Sequence, residues 1–127
     1  MKIEIVSWYT DDLLNNNPDK MFVFGDNDMR KGIGGQARVC RGKSNVIGIR
    51  VKKAPLAFED SYYTDDEYLD NVSKINEDIQ SMFKYDTVVF PKDGIGTGLA
   101  MLKEKAPRTN KYLQERLKQL ITASIVQ

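Results

Sequence analysis

The chain has 127 residues, a net charge of +1 and the composition of an ordinary globular protein, which predicts one domain with one core. It has no histidine and a single cysteine, Cys40, so histidine bases, internal disulfides and Cys-rich zinc sites are excluded. The first residues lack the apolar segment of a signal peptide, and no apolar run is long enough to span a bilayer. We therefore expect a cytoplasmic protein without a membrane partner, a metal site or a cofactor.

Four short segments rich in apolar and β-branched residues are predicted as strands: residues 2–9, 21–24, 45–51 and 87–90. Helical segments are predicted between and after them. Thr10 caps a short helical turn, a short helix ends at Cys40, and residues 56–63 form a loop.

Two longer helices are predicted in the second half of the chain. The first opens with a capping box, in which Thr64 is the cap and Glu67 follows three residues later, and runs to about Phe83. Its apolar stripe comprises Tyr68, Leu69, Val72, Ile75, Ile79 and Met82. Pro107 begins the last helix, whose apolar face comprises Tyr112, Leu113, Leu117, Leu120 and Ile121.

Strands alternate with helical segments, and each later strand is followed by a polar or glycine-rich loop. This order predicts an α/β fold, a single three-layer domain over residues 1–127 with a mostly parallel sheet flanked by helices. A ligand crevice is expected where residues 25–36, 52–55 and 91–100 converge at the carboxyl ends of the strands.

Two of these loops are rich in glycine. Residues 91–99 read PKDGIGTGL, and a backbone with alternating glycines can turn several N–H groups onto one anion. Residues 28–37 read DMRKGIGGQA and open a segment, residues 30–53, in which every charge is positive. Neither loop has the Gly-Lys-Ser/Thr of a P-loop or the placement of a Rossmann fingerprint. A glycine-rich turn without a ligand is the plain alternative.

These residues resemble macro domains, and most closely the terminal ADP-ribose protein glycohydrolase type. The resemblance spans roughly the first hundred residues. It rests on DMRKGIG after the second strand, on Val51-Lys52-Lys53 at the end of the third, and on the proline and IGTGL after the fourth. Small phage-encoded proteins with the motifs FGDN and KDGIGTGL are also similar.

The resemblance implies a pocket for ADP-ribose or an ADP-ribosylated macromolecule. The diphosphate would lie on the loop formed by Gly94, Ile95, Gly96, Thr97, Gly98 and Leu99. The distal ribose would be enclosed by the loop that carries Asn27, Arg30, Gly32, Gly34 and Gln36. Asp12 matches the acid that binds adenine in the family.

Lys52 matches the family's catalytic lysine, which attacks the anomeric carbon of an ADP-ribosyl group. We expect Arg50 and Lys53 to lower its pKa, because neighbouring cations disfavour a charged amine. The family's catalytic carboxylate is replaced here by Ala100, and Asp93 and Asp26 are the candidate substitutes. The position of Lys52 at a strand end is also typical of an ordinary surface lysine. Asp26, Asn27 and Asp93 are also residue types that are common in turns without a ligand.

Two functions follow as expectations. The first is hydrolysis of ADP-ribosyl linkages on protein or nucleic acid through a lysine, and the second is a binding module or sponge for ADP-ribose-like signals. A nucleic-acid-binding protein is a weaker third reading, because no aromatics are interleaved with the basic residues and residues 59–86 are mainly acidic. No dedicated nucleic-acid surface is therefore expected, and Trp8 and the tyrosines are assigned to the core or rim.

Overall fold

The computed structural model describes residues 1–126. Its strands β1 (Lys2–Val6), β2 (Met21–Asn27), β3 (Val46–Lys52) and β4 (Thr87–Pro91) form one sheet. The strand order is β1-β4-β2-β3, and every neighbouring pair is parallel. The predicted α/β fold with a parallel sheet is confirmed.

Five α-helices accompany the sheet: α1 (Asp11–Asn15), α2 (Ala37–Cys40), α3 (Tyr68–Gln80), α4 (Leu102–Lys105) and α5 (Pro107–Val126). Two single 3₁₀ turns, Glu59–Ser61 and Asp65–Glu67, precede α3. Within residues 1–126 no helix has both the length and the apolar character that a bilayer crossing requires.

The core lies on both faces of the sheet. One apolar cluster joins Val23 and Val88 to side chains of α3 and α5 such as Ile79 and Leu113. The other joins Phe22, Phe24 and Val89 to Leu14 of α1 and Cys40 of α2. Because successive strand residues point to opposite faces, the continuous apolar runs of β2 and β4 serve both clusters. The domain therefore has three layers, as predicted.

The ends of two strands differ from the prediction by more than one residue. β1 ends at Val6, and Tyr9, which we expected in the strand, is buried against the sheet, where its hydroxyl lies within hydrogen-bond distance of the carbonyls of Val23 and Val89. β2 extends through Asn27, because its last residues pair with β3 as far as Lys52. Polar residues that we predicted as a turn are thus held in the sheet.

The prediction of a capping box at Thr64 is wrong. Thr64 makes no side-chain capping bond, and Glu67 pairs with Lys53 instead of reaching back to the cap. The helix α3 begins at Tyr68 and ends at Gln80, before Phe83, and Leu69 of the predicted stripe is exposed. The predicted loop at residues 56–63 contains a 3₁₀ turn, and the helix α4 was not predicted.

Candidate functional site

A cleft of about 860 Å³ opens at the carboxyl ends of the strands, within the range of about 300–1,000 Å³ that is usual for ligand sites. Residues 25–36, 52–55 and 91–100 supply most of its lining. The loops touch: a Cβ at Gly32 would lie 2.6 Å from Pro55 Cβ, and one at Gly34 would lie 2.7 Å from Leu99 Cδ1. The two glycines thus let the first loop lie against the other two.

The loop after β4 turns on two left-handed glycines, Gly94 with φ 88° and Gly96 with φ 81°. Thr97 fixes the turn, because its hydroxyl donates to the carbonyl of Asp93 at 2.7 Å. Within the described residues, the backbone N–H groups of residues 95–100 donate no hydrogen bond. Four of these residues (Gly96, Thr97, Gly98 and Leu99) are predicted ligand residues that line the cleft, as does Gly94. Unpaired amides on glycine turns are what an anion such as a phosphate requires.

Gly25, in the last part of β2, lies close to one of these amides. A Cβ built there would lie 3.6 Å from the amide nitrogen of Gly96 and 3.4 Å from Val51 Cγ2, which are ordinary contacts. Gly25 lines the cleft, so a side chain at this position would occupy space beside the Gly96 amide nitrogen.

The first loop is closed by Asn27, which is buried and also lines the cleft. Its side-chain amide donates to the backbone carbonyl of Lys31 at 2.7 Å. Its backbone carbonyl accepts from the backbone N–H of Arg30 at 3.0 Å. Gly32, Gly34 and Gln36, the other predicted ribose residues on this loop, line the cleft as well.

Asp26 lines the cleft but its carboxylate is already occupied. It accepts from Arg41 at 2.7 and 3.1 Å, from Arg30 at 3.2 Å and from the Asn27 amide at 2.8 Å. Burial alone raises the pKa of Asp26, but these hydrogen bonds outweigh it and hold the pKa below its usual value. An ion-paired carboxylate of this kind is a poor general base, which argues against Asp26 as the substitute for the family's catalytic acid.

Lys52, the last residue of β3, is half-buried and lines the cleft, whereas Lys53 pairs with Glu67 outside it. The Lys52 ammonium lies 4.7 Å from the centre of the Tyr62 ring. Burial lowers the pKa of Lys52. The expectation that Arg50 and Lys53 lower it was wrong, because Arg50 is bound to Asp78 and Lys53 to Glu67.

Asp93 is exposed and lines the cleft from the glycine loop, and Ala100 belongs to the same lining. Among the described residues Asp93 has no ion pair or hydrogen bond through its carboxylate, unlike Asp26. Of the two carboxylates predicted to replace the missing acid, Asp93 is the one whose oxygens are free.

Three predicted ligand residues lie outside the lining. Asp12 is exposed on α1, and its neighbour Asp11 lines the cleft instead. The side chain of Ile95 is buried in the core. Arg30 turns away from the cleft towards Asp26 and Asp78. The side chains of Asp12 and Arg30 are therefore not part of the cleft lining, whereas Ile95 was predicted to contribute only its backbone amide.

Several lining residues were not predicted. Lys31, Arg38 and Arg41 add positive charge, and Trp8, which was assigned to the core or rim, is an exposed rim residue. The positive segment of the sequence was the signal for these cations, but it did not indicate which of them face the cleft.

No curated protein and no solved structure matches the chain. A family model described as a family of unknown function, DUF7831, matches residues 4–116, which is most of the chain. On this match the chain belongs to the DUF7831 family of unknown function.

Proposed function

We propose that the protein binds ADP-ribose, free or attached to a macromolecule, with the diphosphate on the loop after β4. The observation that carries the proposal is the run of backbone N–H groups at residues 95–100 without an acceptor among the described residues, on a loop that lines the cleft. Two phosphates can accept more of these N–H groups than one can.

The charges of the cleft support an anionic ligand. Lys31, Arg38 and Lys52 line it and form no ion pair with the residues described, while Arg41 is neutralised by Asp26. Among the described residues these three unpaired cations exceed the one unpaired carboxylate of the lining, Asp93, and an excess of positive charge raises the local concentration of anions. The exposed indole of Trp8 adds a flat apolar surface at the rim, which suits a nucleobase.

Calorimetry with ADP-ribose and AMP tests this binding. We expect ADP-ribose to bind more tightly than AMP. We also expect Gly25→Asp to lower the ADP-ribose affinity by at least about a hundredfold, because its carboxylate would lie in front of the Gly96 amide and repel phosphate.

Gly25→Ala is the matched control, since a Cβ at this position makes only ordinary contacts. It should fold and bind with a smaller loss. Equal affinity of wild type and Gly25→Asp would refute the assignment of the diphosphate to this loop.

Hydrolysis of an ADP-ribosyl linkage is the second candidate function, and the position of Lys52 in the cleft, where burial lowers its pKa, favours it. The neutral Lys52 amine would attack the anomeric carbon of the distal ribose. The bond from that carbon to the macromolecule would break with its electron pair, and the leaving group would take up a proton. Water would then release ADP-ribose and return the free amine.

The carboxylates of the cleft argue against hydrolysis. Ala100 carries no carboxylate, and Asp26 is held by two arginines, which leaves Asp93 as the available proton carrier. A general base contributes about a hundredfold or more to a rate. Binding with slow or absent turnover is therefore the form of the proposal that the residues support best.

A further inference from the structure

A chain of ion pairs with buried carboxylates and partly exposed arginines runs from the cleft to α3, and we name its members Arg41, Asp26, Arg30 and Asp78 the arginine clasp. Arg41 binds Asp26 at 2.7 Å, Arg30 binds the same carboxylate at 3.2 Å, and the other end of the Arg30 guanidinium binds Asp78 at 2.8 Å. The Asp26 and Asp78 side chains are almost wholly buried, at 2% and 7% exposed. Each carboxylate thus has charged donors, as a buried ion requires.

The backbone is shaped to fit this clasp. Arg30 has φ 55°, a left-handed conformation that is uncommon for a residue with a side chain. Gly48 in the middle of β3 leaves the space that the clasp fills, because a Cβ there would lie 2.6 Å from Asp26 Oδ2 and 2.8 Å from Arg30 Nη1. The Gly48 carbonyl also accepts from Arg30 at 2.7 Å. Glycine in the middle of a strand usually weakens it. At Gly48 its presence is explained by Arg30, which lies over it.

The clasp reaches the cleft through Arg41. The Arg41 side chain donates to the carbonyls of Gly32 and Lys31, each at 3.0 Å. Both residues line the cleft. Asp26 therefore orients the arginine that holds the cleft-side part of the loop, and Arg30 binds the same carboxylate.

We propose that Arg30 is a positioning residue, which through Asp26 and Arg41 holds residues 31–36 in place over the cleft. Arg30 ties the start of this loop to β3 at Gly48 and to α3 at Asp78. A loop that is held before the ligand arrives loses less conformational entropy on binding. The identity of the ligand rests on the proposed function, but the ordering of the loop does not.

The test compares two substitutions of Arg30 with one control. Arg30→Met removes the guanidinium, and Arg30→Gly removes it while favouring the left-handed backbone. Arg50→Met is the matched control: the Arg50 guanidinium binds Asp78 at 3.0 Å, and although Arg50 stands beside Asp26 in the sheet, its side chain forms no ion pair with Asp26. Circular dichroism checks that each variant folds, and Arg30→Gly supplies a second variant should Arg30→Met not fold.

The first readout is the ¹⁵N order parameter of residues 31–36 in the ligand-free protein. We expect values near 0.85 in wild type and Arg50→Met, and a fall towards about 0.6 in both Arg30 variants. The second readout is the ADP-ribose affinity, which we expect to fall roughly tenfold in both Arg30 variants and to stay within about twofold in Arg50→Met.

Two results would overturn the proposal: a loop as rigid in Arg30→Gly as in wild type, or equal effects of Arg30→Met and Arg50→Met. If wild type binds no ADP-ribose, the proposed function fails, and the order parameters still decide on the clasp. If the loop loosens but the affinity is unchanged, Arg30 does not position the loop for binding.

Discussion

Among the described residues, Lys52 differs from the other lysines near the cleft in its neighbours. Its ammonium lies beside an aromatic ring and forms no ion pair with a carboxylate. The Tyr62 ring lies beside the ammonium, and the side chain as a whole is half-buried. Removal of water disfavours the charged amine and so lowers the pKa of Lys52. At a given pH, more of this side chain is therefore in the nucleophilic form than is usual for lysine.

This environment predicts a selective and pH-dependent adduct. With ADP-ribose and cyanoborohydride, we expect a reduced adduct on Lys52, while Lys53, which pairs with Glu67, stays unmodified. The rate should rise with pH through a midpoint below that of an ordinary lysine, because only the neutral amine reacts. Peptide mapping by mass spectrometry measures both. An adduct mainly on Lys53, or a midpoint no lower than that of a free lysine, would contradict this account.

For individual residues, the sequence predicted where positive charge is concentrated better than it predicted which groups each charged side chain binds. Lys52 was predicted from its match to the catalytic lysine of the family that the chain resembles, and the alternation of side chains along a strand separates it from Lys53. Arg30 and Arg41 could not be told apart, since both are cations in one positive segment. The left-handed turn at Arg30 points its guanidinium at Asp26 and Asp78, which lie 4 and 48 residues away in sequence.

Among the elements, the 3₁₀ turn Asp65–Glu67 stabilises a helix other than the one it precedes. The Asp65 carboxylate accepts from the backbone N–H groups of Arg108 and Thr109 at 2.8 and 3.0 Å, in the first turn of α5. The turn thereby connects the start of α3 to the start of α5. Sequence reasoning assigned capping to Thr64 because it considers only local partners, and this contact spans more than forty residues.

Loss of this cap predicts a measurable loss of stability. We expect Asp65→Ala to lower the free energy of unfolding by about 1 kcal/mol near neutral pH. Partial burial raises the pKa of Asp65, but its hydrogen bonds from α5 outweigh this and leave the pKa lowered. The stabilisation is therefore present above the carboxyl's unfolded-state pKa and is lost as pH falls through its folded-state pKa.

Urea unfolding at neutral and acid pH measures this difference. Asp66→Ala, at the exposed neighbouring position, is the control and should change the stability little. Equal losses for the two variants, or a loss for Asp65→Ala that does not shrink in acid, would show that Asp65 is not the cap of α5.

For the molecule as a whole, the sequence predicted the layers and the position of the cleft. Apolar runs at β2 and β4 and the stripe of α3 fix which surfaces are buried, and parallel strands bring their following loops to one edge. The sequence could not predict how closely the loops approach. Contacts such as Gly32 with Pro55 and Gly34 with Leu99 depend on side chains that are absent.

The central claim is that the amides of residues 95–100 bind the diphosphate of ADP-ribose. Titration of ¹⁵N-labelled protein with ADP-ribose tests it most directly, because each amide reports separately. We predict large, saturable shifts of the Gly96 and Gly98 amides together with those of residues 31–36. Residues of the shallow groove on the other side of the glycine loop, such as Leu117 and Thr122, should change little. Saturable shifts confined to that groove, or none at Gly96 and Gly98 at millimolar ADP-ribose, would contradict the account.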